Sequence, residues 1–151
     1  MPDPEVHGIE TPLQFPCGLP GFEDEPRFRL VRHPRLFPLV LLQSEKTADL
    51  CFLALPVESI VPDYDLAVSE TDCRALGVGP AASDAAELLG LAIITVPEDG
   101  PASANLMAPV VVNLTAGVGV QAVRGDQRYS HQHPLRDARF HEAAPGETPC
   151  S

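Results

Sequence analysis

Seventeen prolines and eleven glycines punctuate this chain so densely that its apolar stretches last only a few residues, which leaves little room for long helices. The pieces between the breaks are rich in Val, Ile and Leu and have the length of strands. Candidate strands are Arg27 to Arg32, Leu39 to Gln43, Leu50 to Leu55, Tyr64 to Val68, Leu91 to Val96, Val110 to Leu114, and Val118 to Val123. Phe28 and Leu30 alternate cleanly with Arg27, Arg29 and Val31, as in a strand with one buried face. Leu39-Val40-Leu41-Leu42 and Val110-Val111-Val112 are continuously apolar and predict strands covered on both faces. Short strands of this kind leave unpaired edges unless the sheet closes or folds on itself. The expected fold is therefore mostly β: a small, closed or partly open β-barrel-like domain with one or two short helices.

Helix signals are sparse. Ser69 or Thr71 can cap one short helix through Leu76, with Gly77 as its stop. Asp84 followed by Glu87 imitates a capping box, but Gly90 interrupts that segment, and Glu87 to Leu89 can equally begin the next strand. Beyond His133-Pro134 the apolar periodicity ends, and residues 136–151 read as a disordered tail. No internal repeat is visible.

The chain of 151 residues suits one domain with a core that needs no metal or disulfide staples. Its formal charge of −11, from ten Lys and Arg against 21 Asp and Glu, repels phosphate backbones and argues against direct nucleic-acid binding. The same charge serves solubility, and would speed encounter with a basic protein. Met1-Pro2-Asp3-Pro4-Glu5 has neither the basic start nor the apolar run of a secretory signal, and no apolar stretch could span a bilayer. A cytoplasmic protein without membrane attachment is expected. Cys17, Cys51, Cys73 and Cys150 form no C-x-x-C pair, and in that compartment all should be reduced, with Cys51 a small buried residue in a strand and Cys150 exposed.

Motifs that carry chemistry are missing. Gly77-Val78-Gly79 lacks the third glycine and the strand-to-helix setting of a phosphate cradle. There is no G-x-S-x-G, Walker lysine or H-E-x-x-H. His131 and His133 would share one strand face, with His141 nearby, yet a metal site needs converging ligands and outer support, and solvated histidines suit this polar segment better. Arg74 beside Cys73 offers the thiol no histidine partner. Asp63, Asp65, Glu70 and Asp72 gather around Tyr64, but a solvated loop and the dipole of a helix start account for them. No catalytic residue, metal or cofactor is expected.

The most informative segment is Phe15-Pro16-Cys17-Gly18-Leu19-Pro20-Gly21-Phe22-Glu23. Pro20 and Gly21 suit the two central positions of a type II turn, and Phe15 and Phe22 could clamp that turn to the core. This segment resembles the FliW family, in which an aromatic, Gly, an aliphatic and Pro-Gly-Phe precede an acidic stretch and a strand. Further matches follow in order: Leu42-Gln43-Ser44, Leu50-Cys51-Phe52, Pro62 to Tyr64, and Ile94-Thr95-Val96-Pro97. Ala104 to Asn113 is the most specific of them, followed by Gly119 to Gln121, Tyr129 and His133-Pro134-Leu135. The similarity runs from Phe15 to Leu135, so residues 1–135 would form one FliW-like β domain. Leu114 to Gly117 departs from the pattern in lacking the basic residues that often follow the family's Asn, and alanine and proline enrich several loops.

The resemblance implies a non-enzymatic flagellar assembly factor, expected to be a monomer, that binds flagellin and antagonises CsrA, the RNA-binding translational regulator. It implies that flagellin synthesis is thereby coupled to export. Partner-binding candidates are Phe22, Glu23 and Asp24 beside the turn, Gln43 and Ser44 at a strand end, and Asp63, Tyr64, Asp65, Glu70 and Asp72 as an acidic patch. For Phe22 and Tyr64, core packing is an equal expectation; Asn105, Pro109 and Asn113 should fix loop geometry. The rival readings are an adaptor or chaperone for another protein and, further off, a metal-dependent enzyme with its ion at His131, His133 and a carboxylate.

Overall fold

The computed structural model describes residues 8–16, 18–19, 21–66, 68–77, 88–126 and 128–135. The strands are β1 (Ile9–Gln14), β2 (Arg27–Arg32), β3 (Val40–Ser44), β4 (Cys51–Pro56), β5 (Leu88–Thr95), β6 (Ser103–Ala104), β7 (Val110–Asn113), β8 (Val118–Gln121) and β9 (His133–Pro134). Two short helices, α1 (Val57–Ile60) and α2 (Glu70–Ala75), complete the elements used below.

Seven strands run in the order β4-β3-β2-β1-β8-β7-β5, and the additional pairing of β4 with β5 closes them into a barrel. The β4–β5 seam is antiparallel over Ala54↔Ile93, Leu55↔Ala92 and Pro56↔Leu91. The β1–β8 seam is parallel and much shorter, with Gln14 opposite Val118 and the Gln14 N–H donating to Gly117 O at 2.8 Å. Pro12 limits it. The Phe15 N–H donates to Pro26 O on the β2 side, so by alternation Glu10, Pro12 and Gln14 face away from β2. Proline has no N–H to offer there, and an edge position of this kind is where a sheet tolerates it.

Packing follows the two-fold alternation of the strands. Inside the barrel, Leu13, Phe15, Phe28, Leu30, Leu42, Ala54, Leu91, Val110 and Val112 form the main core, with the Phe15 ring edge-on to Phe28 at 5.5 Å. The intervening residues Leu55 and Ala92 face outward and are covered by Val57, Tyr64, Leu106 and Leu135. Val111 and Val120 face outward beneath Leu76, which follows α2. The continuously apolar segments are thus buried on both faces, as their composition predicts; Val110, Val111 and Val112 are wholly buried.

Six of the candidate strands appear within a few residues of their expected bounds. Tyr64 to Val68 does not: its described residues are loop, and the alternation of Tyr64, Leu66 and Val68 arises because the loop lays these side chains on the barrel's outer surface. Gly90 makes room for it, since a Cβ there would lie 3.0 Å from Leu66 Cδ1 and 3.1 Å from Val57 Cγ2. The sequence reading missed β1, whose polar alternation and Pro12 hide it, and the two-residue strands β6 and β9. Helix α2 is capped as expected, the Ser69 hydroxyl accepting from the Asp72 N–H at 3.1 Å and Gly77 following at φ +77°. The Asp84–Glu87 signal and the tail fall outside the described residues.

Cys51 corrects an expectation. It opens β4 half-buried and is disulfide-bonded, whereas Cys73 is free. Pairing follows proximity in the fold, which spacing along the chain does not reveal.

The turn after β1 depends on two glycines in different ways. Both have positive φ, +66° at Gly18 and +86° at Gly21, but a Cβ on Gly18 would fall 2.5 Å from Glu23 Cα while one on Gly21 would meet nothing within 4 Å. Gly21→Ala should therefore cost roughly 1–2 kcal/mol, the left-handed conformation alone. Gly18→Ala should cost more than this because backbone must also move. Urea unfolding of the two variants checks the order.

Candidate protein-docking face

The turn caps one mouth of the barrel. Phe22 N–H donates to Leu19 O at 2.7 Å and Gly18 N–H to Phe15 O at 2.8 Å, so the segment doubles back on itself. Glu23 steadies it by accepting from the Gly21 N–H at 3.1 Å. The Phe22 ring lies edge-on to Phe52, 5.3 Å between centroids, which is the clamp that the flanking aromatics predict. Phe22 is only half-buried, and its free side joins Leu19, Phe52, Ile93, Val110 and His131 around a cavity of about 300 Å³. On the other flank, Glu23 and Asp72 face a second cavity of about 210 Å³ with Thr71, Ala75 and Gly119. Gln121 borders both. A hollow of mixed lining, in which Thr95, Asn105, Gln121, His131 and Gln132 join the apolar residues, and a second one that bears two carboxylates thus sit on either side of the turn. Asp24 stands exposed beside them, 4.0 Å from Lys46 Nζ.

The fold brings Phe22, Glu23, Asp24 and Asp72 together and gives Gln43, Ser44, Tyr64, Asp65 and Glu70 structural work. Gln43 Nε2 lies 3.1 Å from the carbonyl oxygens of Ser44, Ala48 and Leu50, holding the β3–β4 loop. The Ser44 hydroxyl donates to the buried Glu25 carboxylate and accepts from the Lys46 and Thr47 N–H groups. Asn105 Oδ1 accepts from the Met107 and Ala108 N–H groups, and Asn113 Oδ1 from those of Thr115 and Ala116; Pro109 is fully buried. These three fix loop geometry as expected.

The acidic residues do not act as one patch. Asp65 pairs with Arg128 at 3.1 Å and Glu70 with Arg74 at 2.9 Å one helical turn on, while Asp63 is exposed. Tyr64 belongs to the core: its hydroxyl donates to Leu106 O at 2.6 Å and its ring stacks on Tyr129 at 4.3 Å. Arg124, which the sequence reading did not single out, organises this corner. Its guanidinium grips Asp126 through two hydrogen bonds, 2.8 and 2.9 Å. It also donates to Asp65 O and lies over both tyrosine rings. An arginine two residues before an aspartate carries no distinctive sequence signal, which is why it escaped notice.

His131 and His133 do not share a strand face. His131 lies in the turn before β9, at the edge of the turn-side cavity, and His133 pairs with Ala104. Among the described residues no three His, Cys, Asp or Glu side chains converge on a common point, and no helix is long and apolar enough to cross a membrane.

Two ionisations report on the Arg124 corner. Hydrogen bonds from Arg124 hold the Asp126 carboxyl below its usual range. Asp126 therefore contributes stability that is present above the ordinary aspartate pKa and is lost as pH falls through the lowered value. Burial pushes the Tyr64 hydroxyl above its ordinary value of 10.0, with Arg124 opposing. A raised pKa contributes stability present below 10.0 and lost as pH rises through the folded value. The chain has two tyrosines, so in Tyr129→Phe the phenolate absorbance follows Tyr64 alone. Its midpoint should lie above that of free tyrosine and fall to it on unfolding in urea.

The FliW protein family model matches residues 5–135. A flagellar assembly factor FliW of Desulfitobacterium hafniense strain Y51 is 32% identical over 140 residues, 93% of this chain and 88% of that protein. One from Syntrophomonas wolfei is 31% identical over 127 residues, 83% of this chain and 79% of that protein. A crystal structure of the flagellar assembly factor FliW superposes with a TM-score of 0.73 at 25% identity, covering 92% of this chain and 91% of the other. Family model, relatives and fold agree with the motifs read from Phe15 to Leu135: the chain belongs to the FliW family of flagellar assembly factors.

Proposed function

We propose that this chain is a cytoplasmic, non-enzymatic regulator that binds flagellin and CsrA and so couples flagellin synthesis to export. Free protein would hold CsrA and keep it from repressing the flagellin message. Flagellin accumulating in the cytoplasm would capture the protein, and CsrA released in this way would repress; export of flagellin would reset the balance.

Family membership carries this reading, and the physics of the chain supports it. A charge of −11 favours approach to a basic RNA-binding protein and opposes RNA itself. The turn-side mouth offers a half-buried aromatic, a hollow lined by both apolar and polar side chains, and neighbouring carboxylates, the ingredients of a small protein-docking face. A partner with labile terminal segments suits such a face, because segments that order on binding can be captured and later released.

Titrating the labelled protein with flagellin and CsrA, alone and then together, tests the scheme. Each should bind, and adding flagellin should displace CsrA; binding of neither would remove the reading. The acidic flank makes its own prediction. Asp24→Lys combined with Asp72→Lys should weaken CsrA binding by about tenfold at low ionic strength and far less at high salt, with the urea midpoint little changed. An affinity that does not move at either salt would eliminate this flank as the CsrA contact.

A further inference from the structure

The opposite mouth of the barrel holds a groove of different character. Strands β4 and β5 present Phe52 and Ile93 to the turn-side cavity and their other ends, Pro56 and Leu89, to a groove of about 320 Å³ that also includes Ile9, Arg32, Phe37 and Leu39. Phe37 is 81% exposed and Ile9 61%, so two large apolar side chains stand at the groove with most of their surface in water.

Arg32 makes the groove more than an apolar patch. It continues the inward-facing series Phe28, Leu30 along β2, which places a guanidinium at the barrel mouth. Its Nε is buried and has no hydrogen-bond partner. Arg29, facing the other way on the same strand, is paired with Glu10 at 2.8 Å. Among the described residues no carboxylate lines the groove. Of the four arginines between Pro26 and Ser44, a stretch without Asp or Glu in a chain of net charge −11, Arg29 is taken by Glu10 and Arg27 lies at the opposite end of β2, so Arg32 is the arginine that lines the groove.

A buried guanidinium N–H without an acceptor is a donor awaiting an anion, and uncovered Phe37 and Ile9 favour aliphatic or aromatic contacts. We propose that this groove docks an apolar segment of a partner polypeptide whose carboxylate seats on Arg32. Charge complementarity selects the occupant. An acidic segment is repelled by most of this surface and attracted by Arg32, in a groove that no carboxylate lines among the described residues and that also offers apolar cover. A nucleic acid would meet the same arginine but would carry its phosphates across the negative remainder. This docking surface is additional to the turn-side face and does not depend on which partner that face holds.

The test uses two fluorescein-labelled peptides, one alternating leucine with aspartate and one with asparagine in place of aspartate, titrated with the full chain by fluorescence anisotropy. The aspartate peptide should bind about tenfold tighter, the value of one charge-assisted contact at a partly dry site. Arg32→Gln should abolish that difference, and Phe37→Ser, at an exposed position where folding is not at stake, should weaken both peptides. Equal binding of the two peptides, no binding to the unaltered chain at millimolar concentration, or indifference to Phe37→Ser would overturn the proposal. So would tighter binding to a chain lacking residues 1–7, which would make that segment the occupant, or binding of anionic lipid vesicles in preference to the aspartate peptide.

Discussion

A strand of four to eight residues cannot satisfy its own backbone. Each strand of this barrel exposes a row of N–H and C=O groups on either edge, and buried groups left unpaired would cost roughly 1–3 kcal/mol each. The β4–β5 pairing meets that demand by returning the last long strand to the first part of the sheet. Once closed, the barrel has an inside and an outside, and outward-facing Leu55, Ala92, Val111 and Val120 need their own cover. The chain between β4 and β5 supplies it through α1, the Tyr64 loop and α2. Arg124 then binds that cover to the loop that follows β8, through Asp65 O and the two tyrosine rings. Features as separate as Gly90, Tyr64 and Arg124 thus answer one requirement, which begins in short strands.

The parts of this architecture that a reader of the sequence could see were those in which a residue's type and its neighbours along the chain decide the outcome. The turn at Gly18 to Phe22, the helix from Ser69 to Gly77 and the two-faced burial of Val110 to Val112 are of that kind. What could not be seen depends on residues distant in sequence. Tyr64 to Val68 has the period of a strand because its alternate side chains meet a surface made by β4, β5 and β7. Glu10 and Pro12 look like a loop because the edge they occupy is scarcely paired. Cys51 finds a bonding partner for which spacing offered no signal.

The candidate docking residues divide along the same line. Phe22, Glu23 and Asp24 stay together because they are neighbours in the chain at a local turn, and the fold adds Asp72 by laying α2 against the turn's flank. Gln43 and Ser44 looked equally available, yet a strand-end amide and hydroxyl can satisfy a loop's own carbonyls and amides, and here they do. Acidic residues close in sequence also diverge in their surroundings: Arg128 and Arg74 neutralise Asp65 and Glu70 locally, whereas Asp72 keeps its field. Counting carboxylates in a segment therefore overstates the charge that a partner would meet.

The barrel has two mouths, and the chain treats them differently. At one, the turn around Gly21 lies at the opening, with Phe22 on one flank and Glu23 and Asp72 on the other; at the other, Arg32 ends an inward-facing row and Phe37 stands uncovered beside it. Of the strands between, β3 and β7 are packed on both faces while β1 and β2 keep one face in water, so a close-packed path runs along only part of the wall. Among the described strands, β4 and β5 are the ones that line both cavities, which makes them the shortest route for coupling between ligands at the two ends. That makes Leu55 and Ala92, paired midway along the seam and lining neither cavity, the positions where a change in side-chain volume should alter communication without touching either surface.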